Sequence, residues 1–461
     1  MANRMEDRPM ELDLFHAMLV PLAPVFSQPS FQNFVLLMEG WILAGARAMT
    51  STALAACGAF PKHFATYYRF FSRALWEADR LGDALLQMMF PFAPDGPVVA
   101  AVDDTIARKS GRHIWGANVH HDPLGFVPNA LCFGHNWVVL AILIRVPLLQ
   151  RPVAVPIYWR LYRSKKVRKG KARSGRESKT TGTASASEHR TRPELAVEML
   201  HRLRSAVPAS RLIHVVGDSA YGGKSVTLHL PQGVVAISRL PMKAALYARP
   251  APRPSGRKGR PRVKGERLPS PEQMAHASCG WRTATVHLYG RDVRVLYKTT
   301  VALWYNSART MPLRIVVVRD PKGRRKDDAF FTTDPDARPE SVLETYALRW
   351  ALEVAFRDSK QTLGLERSQA RTPHAVQRTG PFAFVSYTLT VAWFCQHGHR
   401  LYHNGISIMP WYRQKRTPSF ANMLQLLRGL LLHKKFCDTP QNIRVLKNPC
   451  GTRNHALKQA A

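Results

Sequence analysis

The spacing of apolar residues changes character along the chain, and each change predicts a different kind of element. Across residues 12–92 apolar positions recur every three or four residues, most clearly in Phe31–Leu54 and Tyr67–Met89, with Pro61 between them. That spacing predicts helices. From Pro97 the texture becomes strand-like. Val98-Val99-Ala100-Ala101-Val102 is a short continuous apolar run that ends in Asp103-Asp104-Thr105, as expected of a strand buried on both faces with its polar end at the sheet rim. Trp137–Val146 and Val153–Tyr162 predict two further strands. Arg163–Arg192 has no hydrophobic period and predicts a mobile basic loop. Pro193–Ser205 reads as a helix leading into another buried strand, Leu212–Gly217, which ends at Asp218, and Val234–Ile237 supplies one more.

Residues 240–335 break this rhythm. A Pro/Gly/Arg-rich stretch, Pro250–Pro271, precedes alternating segments at Thr283–Tyr289, Val293–Tyr297 and Leu313–Val318, with Gly290-Arg291-Asp292 as the expected hairpin turn. The segment predicts an antiparallel insertion. Helical spacing returns at Pro339 and continues to about Leu363, with Gly364 where a helix would stop. Phe382–Cys395 and Phe420–Leu432 predict two more helices. The order divides the chain into a helical N-terminal domain (1–95), an α/β core (96–239, with 163–192 as its loop), a mostly β insertion (240–335), a second part of the core (336–400) and a C-terminal helical region (401–461).

Charge narrows the partners. Lys plus Arg is 67 against 31 Asp plus Glu, a formal net charge of +36, and the excess is spread along the chain. With 45% hydrophobic residues the chain can bury real cores, so it is not a disordered polycation. A folded body with so positive a field implies a polyanion, either nucleic acid or an acidic membrane surface. On that basis the small N-terminal domain could read DNA, though it carries no clear helix-turn-helix signature and a plain helical bundle accounts for it equally. The six cysteines lie far apart with no C-x-x-C pair, which excludes a disulfide-stapled scaffold and a zinc ribbon. The residues from Met1 to Asp7 include acids and no apolar segment, so no signal peptide is expected there. The most apolar run, Phe382–Cys395, is too short to span a bilayer. The expected location is the cytoplasm.

The chemistry centres on acids from distant parts of the chain. Asp103 and Asp218 follow buried strands, and such strand ends are where open α/β sheets place their sites. Each Asp alone is as readily a cap or turn former. Two Asp and one Glu converging could hold a pair of divalent cations, and their hard oxygens suit Mg²⁺ or Mn²⁺. On a helical wheel of about 100° per residue with Tyr346 at zero, Arg349 falls near about 300°, Glu353 near about 340° and Lys360 near about 320°. Arg357 and Trp350 flank that stripe, and Leu348, Ala351, Leu352 and Ala355 occupy the opposite, buried face. One side of the helix would thus present an acid among cations and a hydroxyl, with few acids to pair with those cations.

The string Tyr346-x2-Arg349-x3-Glu353-x6-Lys360 resembles the Y-x2-R-x3-E-x6-K signature of bacterial insertion-sequence transposases of the DDE type. Gly217-Asp218-Ser219-Ala220-Tyr221-Gly222-Gly223 resembles the segment around that family's second Asp, and Asp103-x-Thr105 followed by Arg108 and Lys109 resembles the first. The resemblance covers about residues 97–370. It implies a ribonuclease-H-like mixed sheet flanked by helices, interrupted by a mostly β insertion before the Glu-bearing helix. It also implies metal-dependent cleavage at element ends followed by strand transfer into target DNA. By motif position the catalytic and metal-ligating residues are Asp103, Asp218 and Glu353, holding two Mg²⁺ or Mn²⁺ ions, while Tyr346, Arg349, Lys360 and the neighbouring Arg357 grip phosphates. Asp104, directly before Thr105, is the alternative first acid.

Further readings complete the expectation. Arg163–Lys179 is either a phosphate-tracking arm or a solvated loop. Gly256–Arg262 resembles a minor-groove hook, with a Pro/Arg-rich linker as the plainer account. Trp281 and Trp304 in the insertion could stack an extruded base or serve as buried sheet residues. His120, His121, His397, His399 and His403 show no zinc spacing. The implied partners are double-stranded DNA (terminal inverted repeats and target) and a second copy of the chain in a synaptic homodimer, near the bacterial nucleoid and with no membrane. The alternatives are a ribonuclease-H-like DNA nuclease, or an inactive DNA-binding descendant of a transposase.

Overall fold

A computed structural model describes residues 8–58, 60–111, 113–122, 127, 130–165, 189–252, 260–402 and 417–438. Most of the basic loop expected at 163–192, the first part of the Gly256–Arg262 segment, His403 and much of the C-terminal region lie outside the described residues. The N-terminal fifth is helical: α1 (Arg8–Leu19), α2 (Gln28–Ala44), α3 (Thr50–Cys57), α4 (Phe64–Ser72) and α5 (Ala78–Met89). The single apolar stretch from Phe31 to Leu54 is divided because Gly45 takes φ 62, which ends α2.

The sheet starts with β1 (Val98–Arg108), β2 (Asn118–His121), β3 (Leu131–Ile144) and β4 (Val153–Tyr162). After α6 (Arg192–Ala206) come β5 (Ile213–Gly217), a short α7 (Lys224–Thr227) and β6 (Val234–Leu240). β4, β3 and β1 pair antiparallel in that order, and β1, β5 and β6 pair parallel. The antiparallel steps need only short connections, while the parallel step from β1 to β5 follows the long route through α6. A mixed sheet of this order with helices on both faces is compatible with the ribonuclease-H-like arrangement expected for DDE enzymes.

The first strand is longer than its apolar run. Expected to end at Val102, it continues through Asp103-Asp104-Thr105 to Arg108, because β3 stays hydrogen-bonded to it as far as Arg108 opposite Gly134. The parallel partner β5 stops earlier, with Gly217 opposite Val102. The rim at Asp103 is therefore set by the end of β5, not by the end of β1.

The segment 240–335 adds its strands to the same sheet. β7 (Leu246–Tyr247), β8 (Arg267–Leu268), α8 (Pro271–His276), β9 (Arg282–Leu288), β10 (Arg291–Leu303), α9 (Tyr305–Ala308), β11 (Pro312–Arg319) and β12 (Asp328–Thr332) follow in sequence. β12 pairs antiparallel with β6, so the sheet runs on without a break through β11 and β10. One face of this extension has a small core of its own, including Leu240, Leu246, Leu313, Ile315 and Phe331. The β9–β10 hairpin turns on Tyr289 (φ 55) and Gly290 (φ 81), one residue before the expected turn. Two positive φ values fit the twist of flanking strands, and Tyr289 is the uncommon non-glycine case.

The helix expected over Pro339–Leu363 is two helices, α10 (Pro339–Ala347) and α11 (Trp350–Leu363). At the junction Leu348 and Arg349 donate to Thr345 and Tyr346 at 3.1 Å each, and Leu352 donates to Arg349 at 3.0 Å. These bonds span three residues instead of four, so the turn is tightened and the 3.6-residue wheel slips there. Gly364 ends α11 in the left-handed conformation, as its position predicts. The chain closes with α12 (Pro373–Thr379), α13 (Phe382–Trp393), α14 (His399–Leu401) and α15 (Phe420–Asp438). All of α13 is buried. Phe382 meets Phe34, Trp41, Phe70 and Phe71 in one aromatic cluster, and the Trp41 indole donates to the Leu363 carbonyl at 3.0 Å. The N-terminal helices thus share one continuous core with the sheet and α11. No described helix is long and apolar enough to cross a membrane.

Candidate active site

Neighbouring residues on a strand point to opposite faces, and β1 uses this at Asp103 and Asp104. Asp103 faces α11, where its Oδ2 accepts from Arg349 Nη1 at 2.5 Å. Asp104 faces α6, and its oxygens accept three hydrogen bonds. Oδ2 accepts from Asn136 Nδ2 and from Arg192 Nη1, both at 2.9 Å, and Oδ1 accepts from the Tyr221 hydroxyl at 2.9 Å.

Asp218 follows β5 directly and lies beside Asp103 because Gly217 is in register with Val102. Its Oδ1 accepts from the Ala220 amide at 2.9 Å, capping a short 3₁₀ turn. The glycines around it have structural reasons. A Cβ at Gly217 would lie 2.8 Å from the Tyr221 Cβ, and one at Gly222 would lie 2.5 Å from the Ser238 Oγ. That Ser238 hydroxyl donates to the Asp218 carbonyl at 2.8 Å. The string around Asp218 is therefore a tightly packed corner in which Tyr221 supports Asp104 and Ser238 holds the Asp218 backbone.

Glu353 comes from the first turn of α11. Its Oε1 lies 2.6 Å from Arg349 Nη2, so one guanidinium joins Glu353 to Asp103. Burial, with the Asp218 and Asp104 charges adding to it and Arg349 opposing it, pushes the Asp103 carboxyl up to about 7. Arg349 is held well above its ordinary value by Asp103, Glu353 and Tyr346, against the cost of burial. Among the described residues no group of three His, Cys, Asp or Glu side chains is arranged to hold a metal ion. In this arrangement the countercharge between Asp103 and Glu353 is Arg349 itself. The donor chemistry nonetheless fits a divalent cation: two hard carboxylates on neighbouring strands, with a third within one guanidinium's reach.

The other expected residues are distributed around this centre. The Tyr346 ring packs on Phe330 at 4.5 Å and lies 6.0 Å from the Arg349 guanidinium carbon. Lys360 is half-buried near Glu366, Arg108 and Asp122, and burial lowers its pKa. Arg357 is exposed, pairs with Asp358 at 3.0 Å, and borders a separate cavity of about 780 Å³ with Arg151 and Tyr387. Trp281 is occupied by cations, with Arg319 at 4.3 Å and Lys298 at 4.7 Å over its ring, and Trp304 packs on Phe331 at 5.6 Å. Both tryptophans pack against the small core on the sheet's extension.

Sequence reading missed the residues that hold the acids in place. Tyr221 lay inside the quoted string without an assigned role. Asn136 is a polar residue at the head of a buried apolar run, which is itself a signal, because buried polar groups are kept for their partners. Arg192 and Ser238 left no comparable mark.

No curated protein matches the chain. A family model described as DDE superfamily endonuclease matches residues 21–295, a span that contains Asp103 and Asp218 and stops before Glu353. With more than half of its length matched, the chain belongs to the DDE superfamily endonuclease family.

Proposed function

We propose that the protein is a DDE transposase that cleaves DNA at the ends of an insertion sequence and joins the freed ends to target DNA. The observation that carries this reading is the meeting of Asp103, from β1, with Glu353, from α11, through the single guanidinium of Arg349, with Asp218 at the adjacent strand end. The Asp218 charge beside Asp103 raises the cost of ionising it, so these two carboxylates, distant in sequence, are not brought together for stability. The ribonuclease-H-like core, the helical N-terminal domain and the insertion within it belong to the same reading.

Asp103, Asp218 and Glu353 would hold Mg²⁺ or Mn²⁺ ions. Bound there, such ions supply an activated water and charge stabilisation at the attacking and leaving oxygens. Asp104, the alternative first acid, is read as the residue that braces the strand, because three partners from other elements hold its oxygens. Arg349 and Tyr346 would take a phosphate beside the carboxylates, Arg349 by exchanging a carboxylate partner for a phosphate one. No Ser or Tyr nucleophile is required, because the freed 3′-hydroxyl is the nucleophile of the joining step. The DNA partners are the terminal inverted repeats and the target duplex, and joining two ends calls for a homodimer. A cytoplasmic, nucleoid-associated location follows from that substrate.

The test is excision of a marked element followed by detection of joined products. Asp218→Asn and Glu353→Gln are each expected to abolish excision, and normal excision by either overturns the assignment. Cleavage without joined products would instead place the protein among simple nucleases of the same superfamily.

A further inference from the structure

Beside Arg349 and Tyr346 lies a groove of about 910 Å³ between β10, the loop from Asp320 to Lys326, and the α10–α11 junction. Its lining contains Val293, Val295, Val318, Leu343 and Ala347, and cations border it. The acids of this groove are all engaged. Asp292 is paired with His287 at 2.9 Å, Asp320 with Arg324 at 3.1 Å, and Asp328 with Arg239. Arg291, Arg294, Lys322, Arg325 and Lys326 are exposed, and among the described residues none of the five has an acid within ion-pair distance.

The loop that carries three of these cations is shaped, not slack. Asp320 Oδ1 accepts from the Lys322 amide at 3.0 Å, and the Gly323 amide donates to the Asp320 carbonyl at 2.9 Å. Gly323 takes φ 65, which a glycine adopts without strain. Folding gains nothing from crowding five uncompensated like charges along one groove, and their repulsion costs free energy. A polyanion that lies in the groove removes that cost. The groove also ends at the guanidinium that joins Asp103 to Glu353, so its occupant is continuous with whatever reaches the carboxylates.

We propose that this groove holds the DNA backbone next to the scissile phosphate through phosphate contacts from Arg291, Arg294, Lys322, Arg325 and Lys326. The inference rests on the transposase reading above and adds to it a sequence-independent grip outside the signature residues. Such contacts position DNA without reading its bases.

Each phosphate contact contributes about 0.9 to the slope of log K against log salt. The test compares binding of the full-length protein to two fluorescent duplexes, an element end and an unrelated sequence, between 50 and 200 mM salt. In the triple variant Lys322→Ala, Arg325→Ala, Lys326→Ala the slope should fall by about 2.7, so the loss over that fourfold salt range shrinks by about 40-fold. The reduction should be equal on both duplexes. The charge-keeping variant Arg325→Lys should retain the wild-type slope, which separates lost charge from a damaged loop. A steep wild-type slope left unchanged by the triple substitution overturns the groove while leaving the transposase reading intact. Wild-type protein that binds neither duplex overturns the transposase reading itself. Binding of an acidic peptide in place of either duplex would also overturn the groove's assignment to DNA.

Discussion

Asp103→Asn is the substitution whose energetic consequence follows most directly from the geometry. The Asp103 carboxyl is 15% exposed, sits beside Asp218, and is pushed up to about 7 despite its contact with Arg349. In the unfolded chain it titrates near its ordinary value of about 4. Between those values the folded protein holds a proton that the unfolded chain has released, so stability falls as pH rises through the window and is level above it. At about 1.4 kcal/mol per unit, the full penalty above pH 7 is about 4 kcal/mol, of which about 3 kcal/mol accrues between pH 5 and pH 8. Asparagine cannot ionise and escapes it. Urea unfolding of wild type and Asp103→Asn with a chelator present should therefore show the variant gaining about 3 kcal/mol on wild type between pH 5 and pH 8, while it loses excision. Groups that titrate in both proteins cancel in the comparison. Parallel pH profiles for the two proteins would refute the picture of a carboxylate held in place against its own charge.

Further substitutions separate the roles of neighbouring residues. Asp104→Asn keeps the site isosteric while weakening its hold on Arg192 and Asn136. It should cost about 1–3 kcal/mol in urea unfolding and leave measurable excision, unlike Asp103→Asn; equal loss of excision in the two would refute the division of labour. Gly222→Ala drives a Cβ to 2.5 Å from the Ser238 hydroxyl. It should cost about 1–3 kcal/mol and reduce excision through Asp218, and an unaltered variant would show that the corner is looser than described. Arg349→Ala should lower the salt slope of end binding by about 1, and an unchanged slope would count against a phosphate contact.

What the chain's pattern revealed and concealed has physical reasons. Buried elements such as the strand Ile213–Gly217 and the helix Phe382–Trp393 were readable because burial on all sides leaves a largely hydrophobic run, even with Ser386, Thr388 and Thr390 inside the helix. The extension of β1 past Val102 was hidden, since Asp103-Asp104-Thr105 is polar and its strand geometry is imposed by pairing with β3. The strand β12 was hidden for another reason: its apolar part is only Ala329-Phe330-Phe331, too short to show a period, and it completes a ladder between β6 and β11. At the candidate site the acids were visible through their motif positions, but the direction of Arg349 was not. A wheel of constant pitch places Arg349 and Glu353 on one stripe without showing that the guanidinium turns inward to Asp103. The choice between Asp103 and Asp104 rests on strand alternation and on Tyr221, Asn136 and Arg192, which come from three different elements. The cations facing the groove were legible only as excess charge, because their partnership with one another exists only in the folded sheet.

The most direct test of the account is the number of divalent ions held at the acids. Mn²⁺ titrated into the complex of the protein with an element-end duplex can be followed by electron paramagnetic resonance. Two ions per chain are predicted for wild type, with loss of this binding in Asp103→Asn, Asp218→Asn and Glu353→Gln and its retention in Asp104→Asn. Mn²⁺ binding that is the same in wild type and all three acid variants would contradict the shared site on which the proposed chemistry depends.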